Sequence, residues 1–119
     1  YGGAHLIISR AGAATLAEIA WCGRAAILIP YPYAANNHQE KNARVFVDRG
    51  AALMLCSKEL NGQRLAQAIL DCEQHRDRLA QMEAQVRTLA QPQAAQMIVD
   101  SCYAEIRKRR KNPSARSQP

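Results

Sequence analysis

Short apolar runs alternate with amphipathic stretches over the first half of the chain, and the second half keeps only the amphipathic kind. Leu6-Ile7-Ile8 is brief and rich in branched residues, which predicts a strand buried on both faces. Ser9 to Ala14 then turns the chain. Leu16, Ile19 and Ala20 fall at helical spacing across Thr15 to Cys22, with Gly23 placed to close that helix. A second buried strand is expected over Ala25 to Ile29, stopped by Pro30. The loop Tyr31-Pro32-Tyr33-Ala34-Ala35 leads to Asn36 and Asn37, either of which can cap a helix running to about Arg49, before Gly50. Asn37 and Glu40 have the spacing of a capping box. Ala51 to Cys56 completes a third strand.

Strands alternating with helical crossovers predict an α/β fold with a parallel, doubly wound sheet. Beyond it the pattern becomes all helical. Asn61 can cap a helix carrying Leu65, Ala68, Ile69 and Cys72 on one side. Leu79, Met82, Val86 and Leu89 mark the apolar face of another. Pro92 breaks the chain before a last helix with Ala95, Ile98, Cys102 and Ile106 aligned. From Asn112 to Pro119 no fixed structure is expected. Three strands are few for such a sheet, and the chain opens at Tyr1 rather than Met, so strands preceding Leu6 are expected to be absent. The organisation expected is one domain over residues 1–110, shortened at its N-terminus, and a disordered basic tail over residues 111–119.

Composition narrows the class. The chain has 119 residues, 48% of them hydrophobic and only 5% aromatic, enough for one core. Its net charge of +6 is concentrated in Arg107-Lys108-Arg109-Arg110-Lys111. A basic run of this kind can meet nucleic acid or an anionic membrane, but it more often ends a solvated helix, and no nucleic-acid partner is expected. The four cysteines lack the close spacing of a zinc site. They read as reduced, buried thiols, and no metal or cofactor is expected. No apolar run approaches the length of a membrane span.

Two segments carry candidate chemistry. In the turn after the first strand, Gly12 and its neighbouring alanines let backbone amides approach a ligand, and the following helix points its positive end there, a seat suited to diphosphate. Ordinary strand-to-helix turns also use small residues. Thr15 and Glu18 admit two readings, a capping box or a hydroxyl for phosphate and a carboxylate for ribose. Arg10 can neutralise phosphate or pair with a neighbouring acid. The second segment, Asn36-Asn37-His38-Gln39-Glu40, follows the second strand on the same rim. Its amide and imidazole groups suit sugar hydroxyls, while helix capping and solvated polar residues explain them equally well.

Three ordered segments bear a resemblance to a known family: Ser9-Arg10-Ala11-Gly12-Ala13-Ala14-Thr15-Leu16-Ala17-Glu18-Ile19, then Ala26-Ile27-Leu28-Ile29-Pro30-Tyr31-Pro32-Tyr33, then Asn36-Asn37-His38-Gln39-Glu40-Lys41-Asn42-Ala43. Together they closely resemble glycosyltransferase family 28, strongly from Leu6 to about Leu55 and in helix pattern to about Arg109. The resemblance implies the Rossmann-like C-terminal domain of a GT-B enzyme. It implies that Ala14 and Thr15, beside Arg10 and Gly12, meet the diphosphate of UDP-N-acetylglucosamine. Glu18 would bind the ribose, His38 and Gln39 the pyranose hydroxyls, and Asn42 would support that helix. The implied reaction is metal-free and inverting. It transfers N-acetylglucosamine to lipid I, giving lipid II for peptidoglycan, at the cytoplasmic face of the bacterial inner membrane, with possible peripheral contact to it. A separate donor-binding subunit and another member of the family are the alternatives, beside a module that binds nucleic acid or membrane through the basic tail. His38 stands where some members have Gln, and Arg24-Ala25 where many have a basic residue and Pro. The acceptor site, general base and uracil contacts of the family would all precede Tyr1, so no catalytic residue is assigned.

Overall fold

The computed structural model describes residues 1–111; the expectation of no fixed structure from Asn112 onward lies outside them. Strands β1 (Ile7–Ser9), β2 (Ala26–Leu28) and β3 (Ala52–Met54) alternate with helices α1 (Ala13–Cys22) and α2 (His38–Val47). Helices α3 (Gly62–Gln74), α4 (Arg76–Arg87) and α5 (Ala94–Lys111) follow. All strand pairs are parallel, in the order β1-β2-β3, with Ile7 opposite Ala26 and Ala26 opposite Ala52. The expected parallel α/β sheet followed by helices is therefore present. Its hydrogen bonding runs slightly past the strands, from Ile29 N to Ser9 O at 2.8 Å and from Leu55 N to Leu28 O at 2.9 Å.

Right-handed crossovers between neighbouring strands place both connecting helices on one face of the sheet. The core is built accordingly. Ile7, Ala26, Leu28 and Ala52 project from that face and pack with Leu16, Ile19 and Ala20 of α1, Ala43 and Phe46 of α2, and Val86 of α4. Each fully buried Leu, Ile or Val there contributes about 1.5–3 kcal/mol. On the opposite face Ala25, Ile27 and Ile29 are buried as well, so β2 is enclosed on both sides.

The first strand is not. Ile8 is 43% exposed, although its apolar run predicts burial on both faces. Among the described residues β1 pairs only with β2.

Helix boundaries follow local chemistry. Gly23 adopts φ 63° and ψ 43° and its N–H bonds to the carbonyl of Ala20, closing α1 as expected. Asn61 caps α3 by accepting from Arg64 N at 2.8 Å. Two expected caps fail. α1 starts at Ala13 behind Gly12, so Thr15 lies inside the first turn and forms no capping box with Glu18. Asn37 precedes α2 in the left-handed region at φ 54°, and its amide bonds the Glu40 carboxylate instead of a backbone N–H.

Two further expectations are corrected. Only Cys72 is a buried thiol; Cys22 is half-buried, and Cys56 and Cys102 are exposed. Cys56 lies in a rim loop and Cys102 on α5, where nothing packs over them. α5 forms, but its apolar stripe stays open to solvent: Ile98 is 64% exposed and Ile106 49%. Among the described residues no helix is long and apolar enough to cross a membrane.

Candidate functional site

Parallel strands deliver all three of their following loops to one rim, the usual place for a ligand in an open α/β sheet. The loop after β1 is Arg10 to Gly12, that after β2 runs from Ile29 to Asn37, and that after β3 carries the single turn Ser57–Glu59.

At the first loop, the amide of Leu16 makes the earliest bond within α1, to Gly12 O at 3.0 Å. The amides of Ala13, Ala14 and Thr15 thus precede the helical ladder. No side chain caps them, and no acidic residue occupies the first turn. The positive end of a ten-residue helix is left uncompensated, as anion binding requires. Gly12 sits at φ −69° and ψ 145°, a conformation open to any residue. A Cβ there would meet only Thr15 Oγ1, at 3.9 Å. Its lack of a side chain keeps the approach to the helix end clear; the backbone does not demand it.

Among the described residues Arg10 does not pair with a neighbouring acid, one of its two sequence readings. Its guanidinium donates to the carbonyls of Ile29 at 3.2 Å and Pro30 at 3.3 Å and to Ser57 Oγ at 3.3 Å. It also lies 5.6 Å from the centre of the Tyr31 ring. One side chain thereby ties the loops after β1, β2 and β3 together. Ser57 adds a bond of its own to Pro30 O at 2.6 Å. Nothing in the sequence singles out Ser57 or Tyr31 for this work, because both act across 20 to 50 residues of chain.

Glu18, one turn along α1, accepts a hydrogen bond from the Tyr1 hydroxyl at 3.0 Å. That bond, the largest cause, raises the Tyr1 phenol above its ordinary pKa. An exposed carboxylate engaged by a hydroxyl in this way has the chemistry a ribose diol needs.

At the second loop Gln39 turns inward. Its Oε1 accepts from Tyr31 N at 2.9 Å, leaving its amide N–H groups as donors. Asn42, three residues on, donates from Nδ2 to Ala11 O at 3.2 Å. Ala11 is fully buried, so this bond fastens α2 to the base of the first loop. His38 Nδ1 lies 2.7 Å from Ala35 O. A carbonyl can only accept, so Nδ1 carries a proton in this bond, and in the neutral tautomer that leaves Nε2 of the exposed ring as an acceptor. Glu40 is held below the ordinary carboxylate range, chiefly by the Asn37 amide and then by Arg44.

The structure therefore joins the two predicted segments on one rim, through Asn42 with Ala11 and through Arg10 with Ile29 and Pro30. It does not enclose them in one pocket. The rim's concavity, about 430 Å³, lies further along, between the loops after β2 and β3, and is lined by Tyr31, Asn37, Glu40, Cys56 and Lys58 among others. None of the eight predicted site residues lines it.

Comparison with known proteins assigns this arrangement to a family. The chain is 46% identical over 112 residues to a Geobacter sp. (strain M21) protein, covering 94% of this chain and 30% of that one. That relative is named UDP-N-acetylglucosamine--N-acetylmuramyl-(pentapeptide) pyrophosphoryl-undecaprenol N-acetylglucosamine transferase. A protein of the same name from Syntrophus aciditrophicus is 49% identical over 107 residues, 90% of this chain and 30% of its own length. The crystal structure of Acinetobacter baumannii MurG superposes with a TM-score of 0.74 at 39% identity, across 82% of this chain and 28% of that one. The chain thus spans about 30% of the length of such relatives. The model of the glycosyltransferase family 28 C-terminal domain matches residues 1–98, sheet, rim and α4 included, and the chain belongs to that family.

Proposed function

We propose that this chain is the donor-binding part of an inverting hexosyltransferase that moves N-acetylglucosamine from UDP-N-acetylglucosamine to lipid I, forming lipid II for peptidoglycan. The observation that carries the proposal is the pairing of two unlike sites on one rim. An uncapped helix end suited to diphosphate is fastened by Asn42 to a loop of neutral hydrogen-bonding groups suited to a sugar. The names of the relatives supply the donor and the acceptor.

In this reading the amides of Ala14 and Thr15 receive the diphosphate, with Gly12 leaving room for it. Arg10 contributes positive charge nearby while holding the loops in register. Glu18 exchanges the Tyr1 hydroxyl for the ribose diol. Gln39 donates from its amide and His38 accepts at Nε2, a complementary pair for adjacent pyranose hydroxyls. Asn42 positions that helix. The general base and the acceptor's main site lie on the remainder of a two-domain GT-B enzyme, and no residue of this chain takes the catalytic proton. The enzyme would sit peripherally at the cytoplasmic face of the inner membrane, where α5 offers exposed apolar residues followed by its basic end.

The test is Glu18→Ala in a chimera where this chain replaces the matching part of the Geobacter relative. Losing a hydrogen bond to a charged group should weaken donor use by about 1–3 kcal/mol, seen as a raised donor KM with acceptor KM unchanged. Unchanged donor kinetics in a folded variant would remove the ribose role.

A further inference from the structure

We infer that the crevice between the loops after β2 and β3 receives a projecting part of the acceptor, whose main site lies on the remainder of the enzyme, with Lys58 facing an anionic group on it; this rests on the donor reading above. The argument begins with strand order. The sheet runs β1-β2-β3, so its rim loops lie in the same sequence. The diphosphate seat belongs to the first loop and the pyranose seat to the second, leaving the third beyond the sugar, away from the phosphates. Inverting displacement at an anomeric carbon brings the nucleophile in opposite the leaving group. With the leaving diphosphate on the β1 side, the incoming hydroxyl belongs on the β3 side.

That is where the rim is hollow. The crevice of about 430 Å³ has walls from Pro30, Tyr31 and Pro32 on one side and Met54, Cys56 and Lys58 on the other. It adjoins the pyranose seat directly, since Tyr31 binds Gln39 through its backbone N–H and Asn37 immediately precedes His38. The polar groups around it are largely committed. Ser57 bonds to Pro30 and Arg10, and Glu40 to Asn37 and Arg44. Lys58 is the cation at the opening that forms no ion pair among the described residues. Beside Asn37 and Arg44, Lys58 lies near enough to Glu40 to help lower that carboxyl's pKa, but it is not bonded to it. Apolar and aromatic walls with an ammonium free to bond suit a polar chain bearing a carboxylate or phosphate. The acceptor named for the relatives offers both, in its pentapeptide and its pyrophosphoryl group.

The experiment uses the same chimera and measures acceptor and donor KM separately. Lys58→Ala should raise acceptor KM by about 3- to 10-fold, the scale of one charge-assisted hydrogen bond, with donor KM unchanged and recovery in Lys58→Arg. Cys56→Phe, which fills the crevice from an exposed position, should have the same selective effect. An acceptor analogue without the peptide that abolishes the difference between Lys58→Ala and the unsubstituted chimera identifies the peptide carboxylate as the group held. An analogue without pyrophosphate that abolishes it identifies the phosphate. Unchanged acceptor KM in both Lys58→Ala and Cys56→Phe, with normal donor kinetics, overturns the inference and leaves the donor reading standing. Failure of the unsubstituted chimera to saturate with donor would instead overturn both.

Discussion

At the scale of single residues, Gly12 is where the proposed ligand binding can be separated from folding. Its backbone lies in an ordinary extended conformation and a methyl group would meet only Thr15 Oγ1 at 3.9 Å. Alanine is a poorer N-cap than glycine by up to about 1 kcal/mol, but it also stabilises by about 0.4–1 kcal/mol through the unfolded chain. Gly12→Ala should therefore change the unfolding free energy by less than about 1 kcal/mol. The same methyl stands before the amides proposed to hold diphosphate, so donor KM should rise while the melting curve moves little. A melting transition lowered along with donor use would assign Gly12 to the fold instead. Arg10 makes the complementary point. The sequence marks it as a cation near a turn, which is enough to suggest phosphate. Only the tertiary structure spends its donors on Ile29, Pro30 and Ser57.

Among elements, the contact between α1 and α4 depends on Gly23. It closes α1 at φ 63°, and a Cβ there would run into the Arg87 side chain of α4. Gly50 follows α2 at φ 66° with nothing within 4 Å. Both positions strain any other residue, at a cost of roughly 1 kcal/mol. Gly23→Ala should cost more than Gly50→Ala, because Arg87 must also move, and α4 carries Val86 into the core. Urea denaturation of the two variants side by side checks the order; equal losses would mean that Arg87 swings aside freely. The periodicity of α3, α4 and α5 is plain in the sequence, as are Gly23 and the Asn61 cap. The starts of α1 and α2 are less so. The capping-box spacing recurs by chance among polar residues, and here the backbone enters each helix by another route, behind Gly12 and through left-handed Asn36 and Asn37.

At the scale of the whole molecule, α5 stands apart. The radius of gyration is 19.1 Å and the long axis 62 Å, against about 13–14 Å expected for a compact chain of this length. An 18-residue helix adds about 27 Å of that length by itself. None of its described side chains is buried. Removing residues from Ala94 onward should therefore leave the unfolding free energy of the remaining body within about 0.5 kcal/mol of the parent, as for surface changes that break no packing. Circular dichroism during urea titration provides the comparison. A loss of several kcal/mol would show that α5 docks on the body in solution.

Local chemistry along the chain determined the element types, their order, the parallel sheet and the two candidate segments. Apolar period, glycine and proline placement and small-residue turns act over a few residues, and so they can be read there. The motif resemblance added roles that spacing alone left open between caps and ligands. Tertiary structure decided what depends on distant partners. Among the described residues it paired β1 with β2 alone and exposed Ile8, and it buried none of the side chains of α5. It turned Arg10 into a brace across three loops, and it opened the crevice beside Lys58. Burial and hydrogen bonding between loops depend on strand order and crossover direction, which bring together side chains far apart in the chain.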